Sequence, residues 1–233
     1  MKIQLSLILL FIFGGTSTAI AQSAGDAADV DPNHHNVIFE NDHVRIYEAL
    51  ASPGARSPMH THPPRMFIHL TKARFRMTET DGSSMIVDIN PSEISWLDSG
   101  EHSWELLAGE LHGIGIEIKS AVQAGDPAGD TSEDPNDAVS VDPTHYNVIM
   151  NNEHVRVFEA LASPGAGSAM HTHPPTVMVS LEKSRFRTTD SDGSSMISDL
   201  NPAQVFWMDG ATHSWETLAG QMHLVGVEVK SAR

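Results

Sequence analysis

Pro53-Gly54-Ala55-Arg56-Ser57-Pro58-Met59-His60-Thr61-His62-Pro63-Pro64 decides how this chain is read. It returns as Pro164-Gly165-Ala166-Gly167-Ser168-Ala169-Met170-His171-Thr172-His173-Pro174-Pro175. Alternate residues of an extended segment share a face, so His60 and His62 can turn two imidazoles to one interior point while Thr61 faces away. About forty residues on, Asp98-Ser99-Gly100-Glu101-His102-Ser103-Trp104 and its counterpart Asp209 to Trp215, with His213, can return a third imidazole from a neighbouring strand. Three nitrogen ligands leave positions open for water or substrate, as in catalytic rather than closed structural sites.

The repeat extends well beyond the histidines. Asp31 to Ser120 aligns with Asp142 to Ser231 at one constant spacing and without a gap, which marks duplication of a whole domain. Between the copies, Ala121 to Val141 is rich in Gly, Pro, Ser and acids, including Asp134 and Asp137, and reads as a solvated linker. Within the first copy, β-branched and aromatic runs predict strands at Val37 to Phe39, Val44 to Ala51, Met66 to Leu70, Arg74 to Thr78, Met85 to Ile89, Ile94 to Trp96, Ser103 to Leu107 and Leu111 to Lys119. Turn signals such as Asp81-Gly82 and Asn90-Pro91 separate them. No long window has a helical period, so the expected class is all-β, each copy a small β-barrel or jelly roll whose closure hides its edges.

Composition narrows the function classes. The 233 residues have a formal charge of -16, with 30 acidic against 14 basic residues, a balance that repels nucleic acid and anionic membrane surfaces. With no cysteine, thiolate zinc sites and cysteine nucleophiles are excluded, and any metal must take nitrogen and oxygen ligands. Lys2, the apolar run Leu5 to Phe13 and Ala19-Ile20-Ala21 predict a signal peptide over residues 1–21. A mature chain starting near Gln22, without membrane insertion and delivered to the periplasm or secreted, follows from that reading. No serine sits in a nucleophile-elbow context, so Ser-His-Asp hydrolysis has no support.

On these residues the chain resembles the cupin superfamily. Gly54, His60, His62 and Gly82 fill its first motif, as do Gly165, His171, His173 and Gly193, and His102 and His213 match the histidine of its second. The resemblance implies two tandem cupin domains, 31–120 and 142–231, each binding a divalent metal inside its barrel. Bicupins include oxalate decarboxylases and flavonol-cleaving dioxygenases. The family motif also expects a glutamate where this chain has Met66 or Phe67, and Val177 or Met178. That absence argues against typical manganese cupin chemistry and toward the three-histidine cupins, among them iron dioxygenases that cleave diketones or oxidise thiols. Fe(II) is the leading cofactor by resemblance, with Zn, Ni or Mn open because imidazole accepts them all. The partner is a small organic molecule; the alternatives are a non-catalytic metal- or ligand-binding protein and a metal-assisted lyase or isomerase. The two domains could also pair within the chain, as single cupins do in dimers.

Other side chains are weighed by strand alternation. His69, if Phe67 holds the glutamate position, shares its face and could reach the first metal, or could simply pack; Ser180 replaces it in the second copy. His112 and His223, in phase with Ile114, Ile116 and Ile118 and with Val225, Val227 and Val229, are expected to point into the barrels, as core histidines or substrate contacts. Trp104 and Trp215 share the face of the third histidine and would wall the pocket or pack in the core. The pairs Arg74 and Arg76, Arg185 and Arg187 could hold a carboxylate or form a solvated face. Glu105 and Glu216 fall on the opposite face from the histidine and act as bases only if the strand bulges.

Overall fold

Short β-branched and aromatic runs are stable only when paired with neighbours. The computed structural model describes residues 24–119 and 134–232 and pairs these runs into two antiparallel sheets per copy. The expected signal peptide and residues 121–133 of the expected linker lie outside the described residues. In the first copy the short helix α1 (Ala27–Val30) precedes β1 (Asn36–Glu40), β2 (Val44–Ala51), β3 (Arg56–His62), β4 (Arg65–His69), β5 (Ala73–Glu79), β6 (Ser84–Ile89), β7 (Ile94–Leu97), β8 (Gly100–Gly109) and β9 (Leu111–Ile118). One sheet has the order β1-β2-β9-β4-β7 and the other β3-β8-β5-β6. The second copy repeats this with α2 (Ala138–Val141), β10 (Tyr146–Asn151), β11 (Val155–Ala162), β12 (Gly167–His173), β13 (Thr176–Ser180), β14 (Ser184–Asp190), β15 (Ser195–Leu200), β16 (Val205–Met208), β17 (Ala211–Gly220) and β18 (Met222–Val229). Its sheets are β10-β11-β18-β13-β16 and β12-β17-β14-β15. Among the described residues no helix is long and apolar enough to cross a membrane.

All eight expected strands of the first copy are present, with ends shifted by a few residues, and β3 is a ninth. Its composition, Arg-Ser-Pro-Met-His-Thr-His, is poor in β-formers, and pairing with β8 holds it extended. The register of that pairing shifts between Ser57 and His60, so Pro58 and Met59 sit at an irregularity where a missing ladder donor is tolerated. Ser57, His60 and His62 are consequently all buried.

Both faces of the five-stranded sheets are covered. Toward its own barrel, β9 turns Leu111, Gly113, Gly115 and Glu117: the Phe67 ring lies where a side chain on Gly113 would stand, and the Tyr47 ring where one on Gly115 would. Its other face sends Ile114, Ile116 and Ile118 into a hydrophobic cluster with Ile46 and Met66 of the same copy and with Val157, Val177, Val225 and Val227 of the other. The two barrels thus share one core, and Trp96 stacks on His154 at 5.3 Å and Trp207 on Phe39 at 6.3 Å at its margins. This corrects the expected direction of His112 and His223. They share the isoleucine and valine face, but that face leads away from the barrel interior. At its end His112 Nε2 meets Glu48 Oε1 at 2.9 Å and His223 Nε2 meets Glu159 Oε1 at 2.7 Å. A strand buried on both faces reads as apolar throughout, so alternation alone assigns no inside.

Within the described end of the expected linker, residues 134–136 are exposed as a spacer would be, but Asp137 and Ala138 are buried. Asp137 caps α2, accepting from the Val139 amide at 3.0 Å, and lies 1% exposed against Arg156. Asp26 caps α1 in the same way, from the Ala28 amide, and pairs with Arg45 at 2.6 Å. Each repeat therefore begins several residues before Asp31 and Asp142.

Candidate metal centres

Strands β3 and β8 place His60 directly opposite His102, with ring centroids 4.7 Å apart, and His62 lies 4.9 Å from His60 and 5.4 Å from His102. In the second copy β12 and β17 set His171 opposite His213 at 4.8 Å, with His173 at 4.9 Å from His171 and 5.2 Å from His213. The three rings of each expected triad lie close together, but only in the second copy do they form the group whose nitrogens are within 4.8 Å of one another; in the first, His35 stands in that group with His60 and His62 in place of His102.

The first copy adds a histidine that strand periodicity does not reveal. His35, just before β1, brings its ring to 4.9 Å from His60 and 5.2 Å from His62. Ring nitrogens of His35, His60 and His62 lie within 4.8 Å of one another, as do those of His171, His173 and His213. Tyr146 takes the place of His35 in the second copy; its hydroxyl stands 3.1 Å from His171 Nε2 and accepts from Trp215 Nε1 at 2.9 Å. Aligning the two copies sets Asn33-His34-His35 against Thr144-His145-Tyr146 at the same spacing, so an unlike pair at the strand entrance was the available signal.

Hydrogen bonds on the far side of the rings fix their orientation. His60 Nδ1 donates to the Pro58 carbonyl at 2.7 Å, His35 Nδ1 to the Asp31 carbonyl at 3.1 Å and His62 Nδ1 to Glu117 Oε1 at 2.7 Å. These acceptors put the proton on Nδ1 and leave an Nε2 lone pair facing the cluster, the arrangement of metal-ligating imidazoles. His60 Nε2 is buried and has no hydrogen-bond partner. His171 Nδ1 likewise donates to the Ala169 carbonyl at 2.8 Å, while His171 Nε2 and His173 Nε2 face each other at 3.1 Å. An ion roughly 2.0–2.1 Å from each of two nitrogens holds them about 3 Å apart when they meet it at a right angle. The donor set and its spacing therefore fit a divalent metal.

Burial, above all, favours the neutral form of His35, His60, His62, His102, His171 and His213. It pushes His35 and His171 down to about 4, His213 to about 3 and His102 to about 2, and lowers His60 and His62 as well. The positive charge of Arg65 adds to the effect on His62 and His102. Behind the rings stands a buried carboxylate that the isoleucine-rich look of β9 conceals. Glu117 is held by Arg45 at 2.5 Å and by His62. Its counterpart Glu228 accepts twice from Arg156, at 2.6 and 2.8 Å, and stands 4.0 Å from His173 Nδ1. Burial raises Glu117 above the usual carboxylate range; at Glu228 burial acts the same way but the nearby His173 and the bonds from Arg156 outweigh it, and the result is a lowered value.

The inward position where the motif expects glutamate is occupied by Phe67 and Met178, while Met66 and Val177 face the shared core. Trp104 and Trp215 wall the two cavities, of about 390 and 560 Å³. His69 lines the first cavity with its ring 4.7 Å from Phe67, apart from the histidine cluster. The arginine pairs face outward in ion pairs, Arg74 with Asp88 and Arg76 with Glu105, Arg185 with Asp199 and Arg187 with Glu216. Glu105 and Glu216 thereby serve the outer surface.

No family model and no curated protein matches this chain. Solved structures do. An oxalate decarboxylase is similar with TM-score 0.54 at 15% identity, over 81% of this chain and 69% of that one. A mutant of the Bacillus subtilis oxalate decarboxylase, a protein with Mn(II) centres, gives 0.51 at 16% identity over 81% and 69%. A cupin 2 conserved barrel domain protein from Leptotrichia buccalis gives 0.50 at 10% identity over 83% and 86%. Each barrel has the cupin fold, and each encloses a histidine group able to hold a metal ion.

Proposed function

We propose that this chain is an exported metalloenzyme, a mononuclear iron-dependent oxygenase that acts on a small organic molecule held in its barrels. The observation supporting this most directly is the pair of histidine groups with nitrogens within 4.8 Å of one another beside a cavity, in which His35, His60, His62 and His171 have Nδ1 engaged elsewhere. Fe(II) bound there would supply redox chemistry toward dioxygen at positions the protein leaves open. The chain's own residues do the rest. Glu117 and the Pro58 carbonyl orient the rings, Phe67 and Met178 leave the ligand set without a carboxylate as fourth member, and Trp104 and Trp215 wall the cavities. Zn, Ni and Mn accept the same imidazoles. Anaerobic iron loading followed by oxygen-uptake measurements over diketones, thiols and catechol-like compounds tests the reading: uptake dependent on iron and one substrate class is expected, and no uptake in any metal-loaded form contradicts it.

Phe67 and Met178 in place of the motif's glutamate favour a second reading, a non-catalytic metal- or small-ligand-binding protein, which would bind metal in both barrels without turnover. A metal-assisted lyase or isomerase would turn over indifferently to oxygen. Export rests on the N-terminal pattern Lys2, Leu5 to Phe13 and Ala19-Ile20-Ala21. Protein recovered from the periplasm or medium should begin near Gln22.

A further inference from the structure

Two side chains lining the first cavity, Arg65 and His69, each carry a buried nitrogen without a hydrogen-bond partner. Arg65 is 5% exposed on the inward face of β4 and lines the first cavity, and its Nε is buried without a hydrogen bond. Glu117, its neighbour in register on β9, is already engaged by Arg45 and His62. Four residues along the same face, His69 lines the same cavity with Nδ1 also buried and unpartnered. The Glu117 carboxylate and the Tyr47 hydroxyl both feel the charge of Arg65, but a buried nitrogen left without a hydrogen bond is unfavourable, and two of them on one cavity wall point to something that satisfies them. The second barrel shows what the same positions look like when nothing is to be bound. Thr176 replaces Arg65 and bonds the Pro174 carbonyl at 2.7 Å; Ser180 replaces His69 and bonds the Glu182 carbonyl at 2.8 Å. No arginine or lysine lines its cavity, whose wall carries Asp190 and Asp199 beside Met178 and Phe186.

We infer that the first barrel binds a small organic carboxylate, its acid group on Arg65 and a second polar group toward His69, and that the second barrel does not. Charge favours the same conclusion. Neutral imidazoles leave the two positive charges of a divalent ion uncompensated, and Arg65 adds a third, so an anion beside the metal is stabilised from both sides. The two Cα positions are about 13 Å apart along the strand, and after both side chains reach inward the cavity of about 390 Å³ suits a molecule of metabolite size. The inference rests on the reading of this cavity as the pocket beside a metal centre.

The test uses calorimetric titration of the full chain with acetate, succinate and 4-hydroxybenzoate against their neutral amides, with metal content measured on the same samples. One carboxylate per chain is expected, at least tenfold tighter than the amide. Arg65→Thr, the residue the folded second barrel already tolerates, should lose that preference at least tenfold while keeping its metal, and Arg65→Lys should fall between. His69→Ser should weaken 4-hydroxybenzoate and leave acetate unchanged. Equal binding of acids and amides by the unmodified chain, or an unchanged preference in Arg65→Thr, overturns the inference, and does so without touching the metal reading if both barrels still hold metal. Arg65-dependent carboxylate binding in chains that take no metal would uphold the subsite and remove the metal reading instead.

Discussion

The two barrels share strands, register and ligand histidines, yet differ where their interiors meet a ligand. The first has His35, Arg65, His69 and Tyr47 where the second has Tyr146, Thr176, Ser180 and Phe158. Duplication held constant what the fold and the metal geometry require, while the residues facing the cavity diverged. Of the unlike residues, His35 joins the metal-spaced histidine group of the first barrel, while Arg65 and His69 stand on the cavity wall where selectivity would be set. The divergence also makes each barrel the control for the other, because every unlike residue has a counterpart already accommodated in the same fold.

The largest effect expected falls on what the barrels have in common. Ile116→Ala in the shared core should cost about 2–5 kcal/mol, and Val227→Ala, its counterpart, somewhat less. Urea unfolding should show one transition shifted by either substitution, because Ile116 and Val227 lie in one cluster. Two separated transitions, each moved by only one variant, would mean the barrels are stable independently.

Next comes the pH dependence that His35 gives to the first barrel. Its value in the folded chain is pushed down to about 4 by burial, below the ordinary histidine range. The unfolded chain therefore binds one more proton than the folded chain between about pH 6.5 and 4, and stability falls as pH is lowered through that window. The loss attributable to His35 is on the order of 3 kcal/mol across it. His35→Tyr, which installs the residue of the second barrel, should flatten the stability profile of metal-free protein there. An unchanged slope would show that His35 titrates normally.

A smaller difference is expected from the carboxylates behind the ligands. Glu117→Gln should weaken metal binding in the first barrel by about 10–100-fold, the usual effect of loosening a group that orients a ligating histidine. Glu228→Gln should do less, since Glu228 stands 4.0 Å from His173 where Glu117 stands 2.7 Å from His62. Competition titrations with a chelator would resolve the two sites, and equal losses would erase the distinction.

Much of this was legible from the residues. Strand count, duplication and the convergence of His60, His62 and His102 follow from alternation and spacing, which a closed antiparallel barrel obeys. The misreadings arose where alternation is uninformative. On β9 both faces are buried, so the isoleucines that line the shared core looked like barrel interior, and His112 was carried with them, while Glu117 among glycines gave no sign that it supports His62. His35 and Asp137 lie outside regular strands, where composition reads as entrance loop or linker, and only tertiary contacts reveal their burial. Arg65 sits at the first position of a five-residue strand, and its inward direction is fixed by the pairing of β4 with β9 and not by its own type.

Metal stoichiometry tests the central claim most directly. Element analysis of the purified chain after loading should give two divalent ions per chain, falling to one in either His60→Ala/His62→Ala or His171→Ala/His173→Ala and to none when both pairs are replaced, with the fold monitored by circular dichroism. Metal content that is negligible in the intact chain, or unchanged in the variants, would contradict the assignment of both histidine groups as metal centres.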